Sequence, residues 1–182
     1  EIDITRLFDT NGGVEATGRR SVTRKGGGAA VPARPNLLRA VLRAAVGAAA
    51  PYGVPVTAKF RMGLTDDLLT FRHTGDICAE EGGAWIALHA RTAEQHYAGD
   101  ARWEAIAELK AAVPGIPVLG NGDIWEAHDA LAMMDSTGCD GVVIGRGCLG
   151  RPWLFADLVE ALAGRPVRAS RPLGEAASVM VE

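Results

Sequence analysis

The sequence predicts an α/β fold, a partial TIM (β/α)8 barrel of about strands 4 to 8 with their helices. Three observations carry that expectation. Short apolar runs alternate with segments of helical period in about five strand–helix units, the pattern of a parallel sheet with helical crossovers. Two of the runs, residues 116–121 and 141–145, stop at glycine and hand over to a helical pattern about 25 residues apart, the span of one βα unit. A strand that ends this way presents backbone N–H groups, with a helix dipole behind them, to an anion such as phosphate. The third observation is where these loops fall. A doubly wound open sheet would put a G-x-G-x-x-G loop after its first strand. Here Gly120-Asn121-Gly122 runs into Asp123-Ile124-Trp125 without the third glycine, and the phosphate-type loops come last. The last two loops of a barrel are where phosphate sits.

The elements follow in order. Residues 1–5 (EIDIT) alternate polar and apolar, as a short strand does, and residues 6–21 show turn chemistry at Asn11-Gly12-Gly13 without a period. Residues 22–28 (VTRKGGG) form a basic, glycine-rich loop. Pro35 opens a helix with Leu37, Leu38, Val41, Leu42, Ala45 and Val46 on one face. A strand over residues 55–60 ends at Lys59-Phe60-Arg61, and a helix is expected from Asp66 to about Glu81 with Leu68, Leu69, Ile77 and Cys78 in the core. A strand at 84–88 runs into His89-Ala90-Arg91-Thr92, followed by a helix over about 103–113. The strand ending at Asn121, a helix over about 125–136, the strand ending at Gly145 and a helix from Pro152 to about Ala163 complete the barrel portion. Residues 1–163 are thus a partial barrel. Residues 164–182, rich in Pro and Arg before a helical pattern near Gly174, are a linker entering a further helical domain.

Composition narrows the function. With 182 residues, 48% apolar and 23% charged, the chain is a soluble globular type with one sizeable core. A net charge of −3 gives no whole-molecule pull on nucleic acid, so any such contact needs a local cluster such as Arg19, Arg20, Arg24 and Lys25. No run of about 18 apolar residues is present, so no membrane span is expected. Cys78, Cys139 and Cys148 have no metal-ligand spacing; an odd, sparse count suits a reducing cytoplasm, with Cys78 and Cys139 as buried, inert thiols and no metal.

Residues at the carboxyl ends of barrel strands converge on one face. Lys59 and Arg61, His89 and Arg91, Asn121 and Asp123, and Gly145 and Arg146 all fall at such ends. Singly, each is equally well a surface salt-bridge partner; four successive polar ends point to a shared site. Gly122 and Gly145 let backbone N–H groups approach a phosphate, Arg146 adds charge-assisted hydrogen bonds, and Lys59 is placed to stabilise negative charge on a planar, electron-rich cofactor.

These motifs also resemble a known family. Val22-Thr23-Arg24-Lys25-Gly26-Gly27-Gly28, Lys59-Phe60-Arg61, His89-Ala90-Arg91-Thr92 with Tyr97 and Gly99, Gly120-Asn121-Gly122-Asp123-Ile124, and Asp140 to Gly147 through Gly150-Arg151-Pro152-Trp153 are similar in kind and order to the tRNA-dihydrouridine synthases. The resemblance implies a barrel with FMN on its carboxyl face, NADPH as reductant and tRNA as partner, uridine being reduced to 5,6-dihydrouridine in the cytoplasm. It implies that Lys59, His89, Asn121, Gly122, Asp123, Gly145 and Arg146 bind FMN, while Arg61 and Arg91 hold tRNA or its flipped base. The family's proton-donor cysteine has no counterpart: residues 6–21 stand where its Gly-Cys-Pro would be, so no catalytic residue is assigned. The missing cysteine and first three strands predict a truncated form, inactive alone, whose open sheet edges favour self-association. Two other functions stay open. One is a different FMN barrel oxidoreductase acting on a small molecule; the other is a non-catalytic remnant that binds RNA.

Overall fold

The structure, a computed structural model, describes residues 26–168. The strand expected over 1–5, the basic cluster at 19–25 and the helical pattern near Gly174 lie outside the described residues. In chain order the elements are α1 (Pro35–Ala49), β1 (Thr57–Arg61), β2 (Gly63–Thr65), β3 (Leu68–Leu69), α2 (Phe71–Glu80), β4 (Trp85–His89), α3 (Glu104–Ala112), β5 (Val118–Asn121), α4 (Ala127–Thr137), β6 (Gly141–Val143) and α5 (Leu154–Leu162).

Four strands pair in parallel in the order β1-β4-β5-β6. That order follows the chain without reversal. A doubly wound sheet reverses direction at a switch point, whereas a barrel winds one way. The architecture is therefore α/β, a four-stranded parallel sheet with five helices, arranged as part of a (β/α)8 barrel.

Alternation along the strands divides the sheet into two faces. Ala58, Phe60, Ile86, Leu88 and Val118 join one buried apolar cluster with Ile77 and Cys78 of α2, Ile106 and Leu109 of α3, and Ala130 and Met133 of α4. That is the helix-covered face. Lys59, Arg61, Ala87, His89, Leu119 and Asn121 occupy the alternate positions. Successive helices pack on one another, α1 on α2 through to α4 on α5.

Local chemistry sets the helix ends. Pro35 stands in the first turn of α1. Glu126 and Asp129 form a reciprocal capping box on α4, and Gly138 ends it in the left-handed conformation.

Two expectations are corrected. The helix expected from Asp66 starts only at Phe71; residues 63–69 instead form an antiparallel hairpin of β2 and β3. The carbonyl of Met62 accepts both the Thr70 and Phe71 N–H groups, at 2.8 and 3.0 Å, which closes the hairpin before a helix can begin. Leu68 and Leu69 are consequently exposed, at 45% and 42%, not core. On α1, Leu38 and Leu42 are buried as expected, whereas Leu37 faces outward.

Candidate active site at the strand ends

Parallel register brings the polar strand ends into rows. Arg61 pairs with His89, His89 with Asn121, and Asn121 with Val143; one step back, Lys59 pairs with Ala87 and Leu119 with Gly141. All nine residues expected at the site therefore lie at one edge of one sheet or in the loops leaving it. The glycine-tipped loops touch: a side chain on Gly147 would lie 2.0 Å from the Ile124 carbonyl oxygen. Arg151 ties them further, donating to Trp125 O at 2.9 Å and to Glu126 Oε2 at 2.7 Å.

His89 is 7% exposed and ringed by cations. Burial, and then the charges of Arg61, Lys59, Arg91 and Arg146, push its pKa from 6.5 down to about 2. Its imidazole is neutral at any working pH, so it serves as a hydrogen-bonding group and not as a cation. Asn121 donates its carboxamide N–H to Val143 O at 2.7 Å, fixing its side chain across two strands.

Arg61 donates through Nη1 to the carbonyls of Thr92 at 2.9 Å and His96 at 2.8 Å, and its guanidinium lies 5.5 Å from the Tyr97 ring centre. These bonds hold the loop between β4 and α3 against the end of β1. Arg146 is gripped between two aromatic rings, 4.3 Å from Tyr97 and 5.2 Å from Trp125. Both rings are 44% exposed.

Arg91 and Asp123 are held by each other. Arg91 is 2% exposed and donates from Nη2 to both Asp123 carboxylate oxygens, at 2.8 and 2.7 Å, and to Gly99 O at 2.6 Å. Asp123 Oδ2 also accepts from the Ala101 N–H at 2.7 Å, and Arg146 Nη2 stands 3.6 Å from Oδ1. Arg91 Nε and Nη1 are buried without a hydrogen-bond partner among the described residues. The glycines differ in what constrains them. Gly122 has φ 135°, and a Cβ there would come 2.6 Å from that of Ala101, so packing requires it. A side chain at Gly145 would meet nothing within 4 Å, which leaves that turn open to an approaching group.

Sequence reasoning gives no role to Tyr97 or Trp125: Tyr97 stands only within a motif, and Trp125 reads as a helix start. Only the winding of the sheet brings them to Arg146. Among the cysteines, Cys78 is fully buried on α2, burial raising its thiol pKa to about 12, and Cys139 is in the core. The Cys148 thiol donates to Gly145 O at 3.1 Å. Among the described residues no group of three or more His, Cys, Asp or Glu side chains could hold a metal ion, and no helix is long and apolar enough to cross a membrane. A cavity of about 350 Å³ lies apart from the row, floored by Met62, Leu69 and Phe71. The Arg72–Glu108 and Arg102–Asp66 pairs at that cavity balance their own charges, so it shows no preference for an anion.

A family model for dihydrouridine synthase (Dus) matches residues 19–181. The chain is 57% identical over 159 residues to a probable tRNA-dihydrouridine synthase of Mycobacterium leprae, covering 87% of this chain and 41% of that protein. It is 56% identical over 159 residues to the corresponding probable enzyme of Mycobacterium tuberculosis strain H37Rv, with the same coverage of 87% and 41%. Over 176 residues it is 34% identical to tRNA-dihydrouridine synthase B of Serratia marcescens, covering 97% of this chain and 51% of that protein. The chain spans between 41% and 51% of the length of these relatives.

Proposed function

We propose, from the premise that the chain belongs to the dihydrouridine synthase family, that it carries the cofactor-phosphate side of a site reducing uridine to 5,6-dihydrouridine in tRNA. FMN is the resident cofactor in this reading and NADPH its reductant. One observation carries it: Lys59, Arg61, Arg91 and Arg146 converge on a neutral, buried His89. Asp123 already pairs with Arg91 and stands beside Arg146, and a bound anion would add to the attraction that holds these cations together. A phosphorylated, electron-rich ring system is such an anion. The open space at Gly145 fits the same group.

When bound, FMN supplies hydride transfer, chemistry that no side chain here provides. The residues' own tasks follow from their placement. Arg146, with the backbone at Gly122, Asp123 and Gly145, would hold the phosphate. Lys59, in the middle of β1, would place positive charge beside the ring system. His89, being neutral, and Asn121 would donate or accept hydrogen bonds to it without adding charge. Arg61 would face the nucleic acid, with Arg91 behind it. A uridine must leave its stack before any reaction at its ring, and a cationic strand-end face suits the extruded nucleotide.

Titrating the purified chain with FMN and following flavin fluorescence tests this. Saturable binding is expected, and Arg146→Ala should weaken it about tenfold, the worth of one charge-assisted hydrogen bond. Absence of binding would remove the reading. A second reading, RNA binding without catalysis, is favoured by the burial of Cys78 and Cys139 in the core, away from the polar row. Formation of dihydrouridine on unmodified tRNA with NADPH would exclude it.

A further inference from the structure

We infer that Asp123 is a positioning residue: its carboxylate sets the orientation of Arg146 toward the cofactor phosphate and does not itself contact the cofactor. The inference rests on the reading of the site as an FMN pocket. The Asp123 carboxylate is already surrounded on the protein side. Both its oxygens take Arg91 Nη2, at 2.8 and 2.7 Å, and Oδ2 takes the Ala101 N–H at 2.7 Å. A carboxylate cannot approach a phosphate without a cation between them, because like charges at contact repel strongly in a half-buried setting. The cation adjacent to it is Arg146, whose Nη2 stands 3.6 Å from Oδ1.

The rest of the surroundings fix Arg146 in the complementary way. A guanidinium is a plane with donors on its edges only. Tyr97 at 4.3 Å and Trp125 at 5.2 Å pack against it and restrain its tilt. They leave rotation within the plane unset, and a carboxylate charge near one edge biases it. Asp123 supplies that charge from β5's loop, while Arg146 follows β6, so the ion pair draws the two glycine-tipped loops together. Arg91 is the anchor beneath. It is 2% exposed, and its bond to Gly99 O at 2.6 Å fastens the loop that carries Tyr97 to the same carboxylate. Backbone at Asp123 lies at φ 54°, a left-handed conformation that Asp adopts more readily than most L residues.

Binding of FMN and of riboflavin, which lacks the phosphate, separates this from a general structural role. Asp123→Asn should raise the dissociation constant for FMN at least about fivefold and that for riboflavin less than about twofold, so that the preference for FMN falls. Asp123→Glu, which keeps Arg91 paired, serves if the amide variant does not fold, and should give the same loss of preference by displacing Arg146. In an Arg146→Ala background, Asp123→Asn should change the preference no further. Equal loss of both ligands, or an unchanged preference, overturns the inference alone. Failure of the wild-type chain to bind FMN overturns the proposed function, and the inference with it.

Discussion

At His89, neighbours decide the charge. The unfolded chain takes up a proton near pH 6.5, while the folded chain does so only near pH 2. Between those values the unfolded state binds more protons, so stability falls as pH drops below 6.5, by at most about 1.4 kcal/mol per pH unit. The carboxylates with lowered pKa, Glu81, Glu126, Asp140 and Glu160, have ordinary values of 4.5 or 3.8 and lose their contribution only near and below those values. Between pH 6.5 and 5 the slope therefore belongs mainly to His89. Thermal melting across that window should show a falling midpoint for the wild type and a nearly flat one for His89→Gln. Persistence of the full slope in the variant would contradict this account.

Among the elements, the contact between the two glycine-tipped loops is the tightest constraint on the site. Gly147, in the turn after β6, leaves no room for a Cβ, which would lie 2.0 Å from the Ile124 carbonyl oxygen and 3.2 Å from the Trp125 Cα. Both are backbone atoms, which cannot rotate away. Gly147→Ala should therefore force the loops apart at a cost of about 1–3 kcal/mol in stability, read from urea unfolding. Because Trp125 moves with that backbone, Arg146 should lose part of its stack as well. The β2–β3 hairpin plays a related part on the other side. Gly63 O and Leu64 O accept from the Ala93 and Glu94 N–H groups, both at 2.9 Å, so the hairpin is stitched to the loop carrying Tyr97.

For the molecule as a whole, a parallel sheet is ordinarily buried on both faces and closed or covered at its edges. Among the described residues β1 and β6 each have one paired side only. Packed on α4, α5 presents Phe155, Val159 and Leu162 at 52%, 59% and 54% exposure, spaced as one helical stripe. An exposed apolar stripe of this kind suits association with another surface. Sedimentation of this chain should show concentration-dependent self-association, and Val159→Lys should shift it toward monomer without lowering the melting temperature. Identical sedimentation of the two proteins would remove the stripe from consideration.

Much of this was legible locally. Strand ends at Lys59-Phe60-Arg61 and His89, the capped helix over Ala127–Thr137 and the abrupt glycines at 120–122 and 145 are each written in a few neighbouring residues. Period, turn chemistry and proline placement act over one turn of chain, so a reader of the sequence sees what the chain itself obeys. Residues 66–70 mislead for the same reason: an adjacent pair of leucines ahead of Ile77 and Cys78 carries no sign that the Met62 carbonyl takes the N–H groups that close a hairpin. The α/β class, the order of the elements and the edge of the sheet where the polar groups gather follow from local pattern alone. That Arg91 and Asp123 hold each other, that Arg146 lies against Tyr97 and Trp125, and that His89 is neutral follow only from the packed fold. Each of those depends on the distance between groups from different strand–helix units, and that distance is set by how the sheet winds and packs.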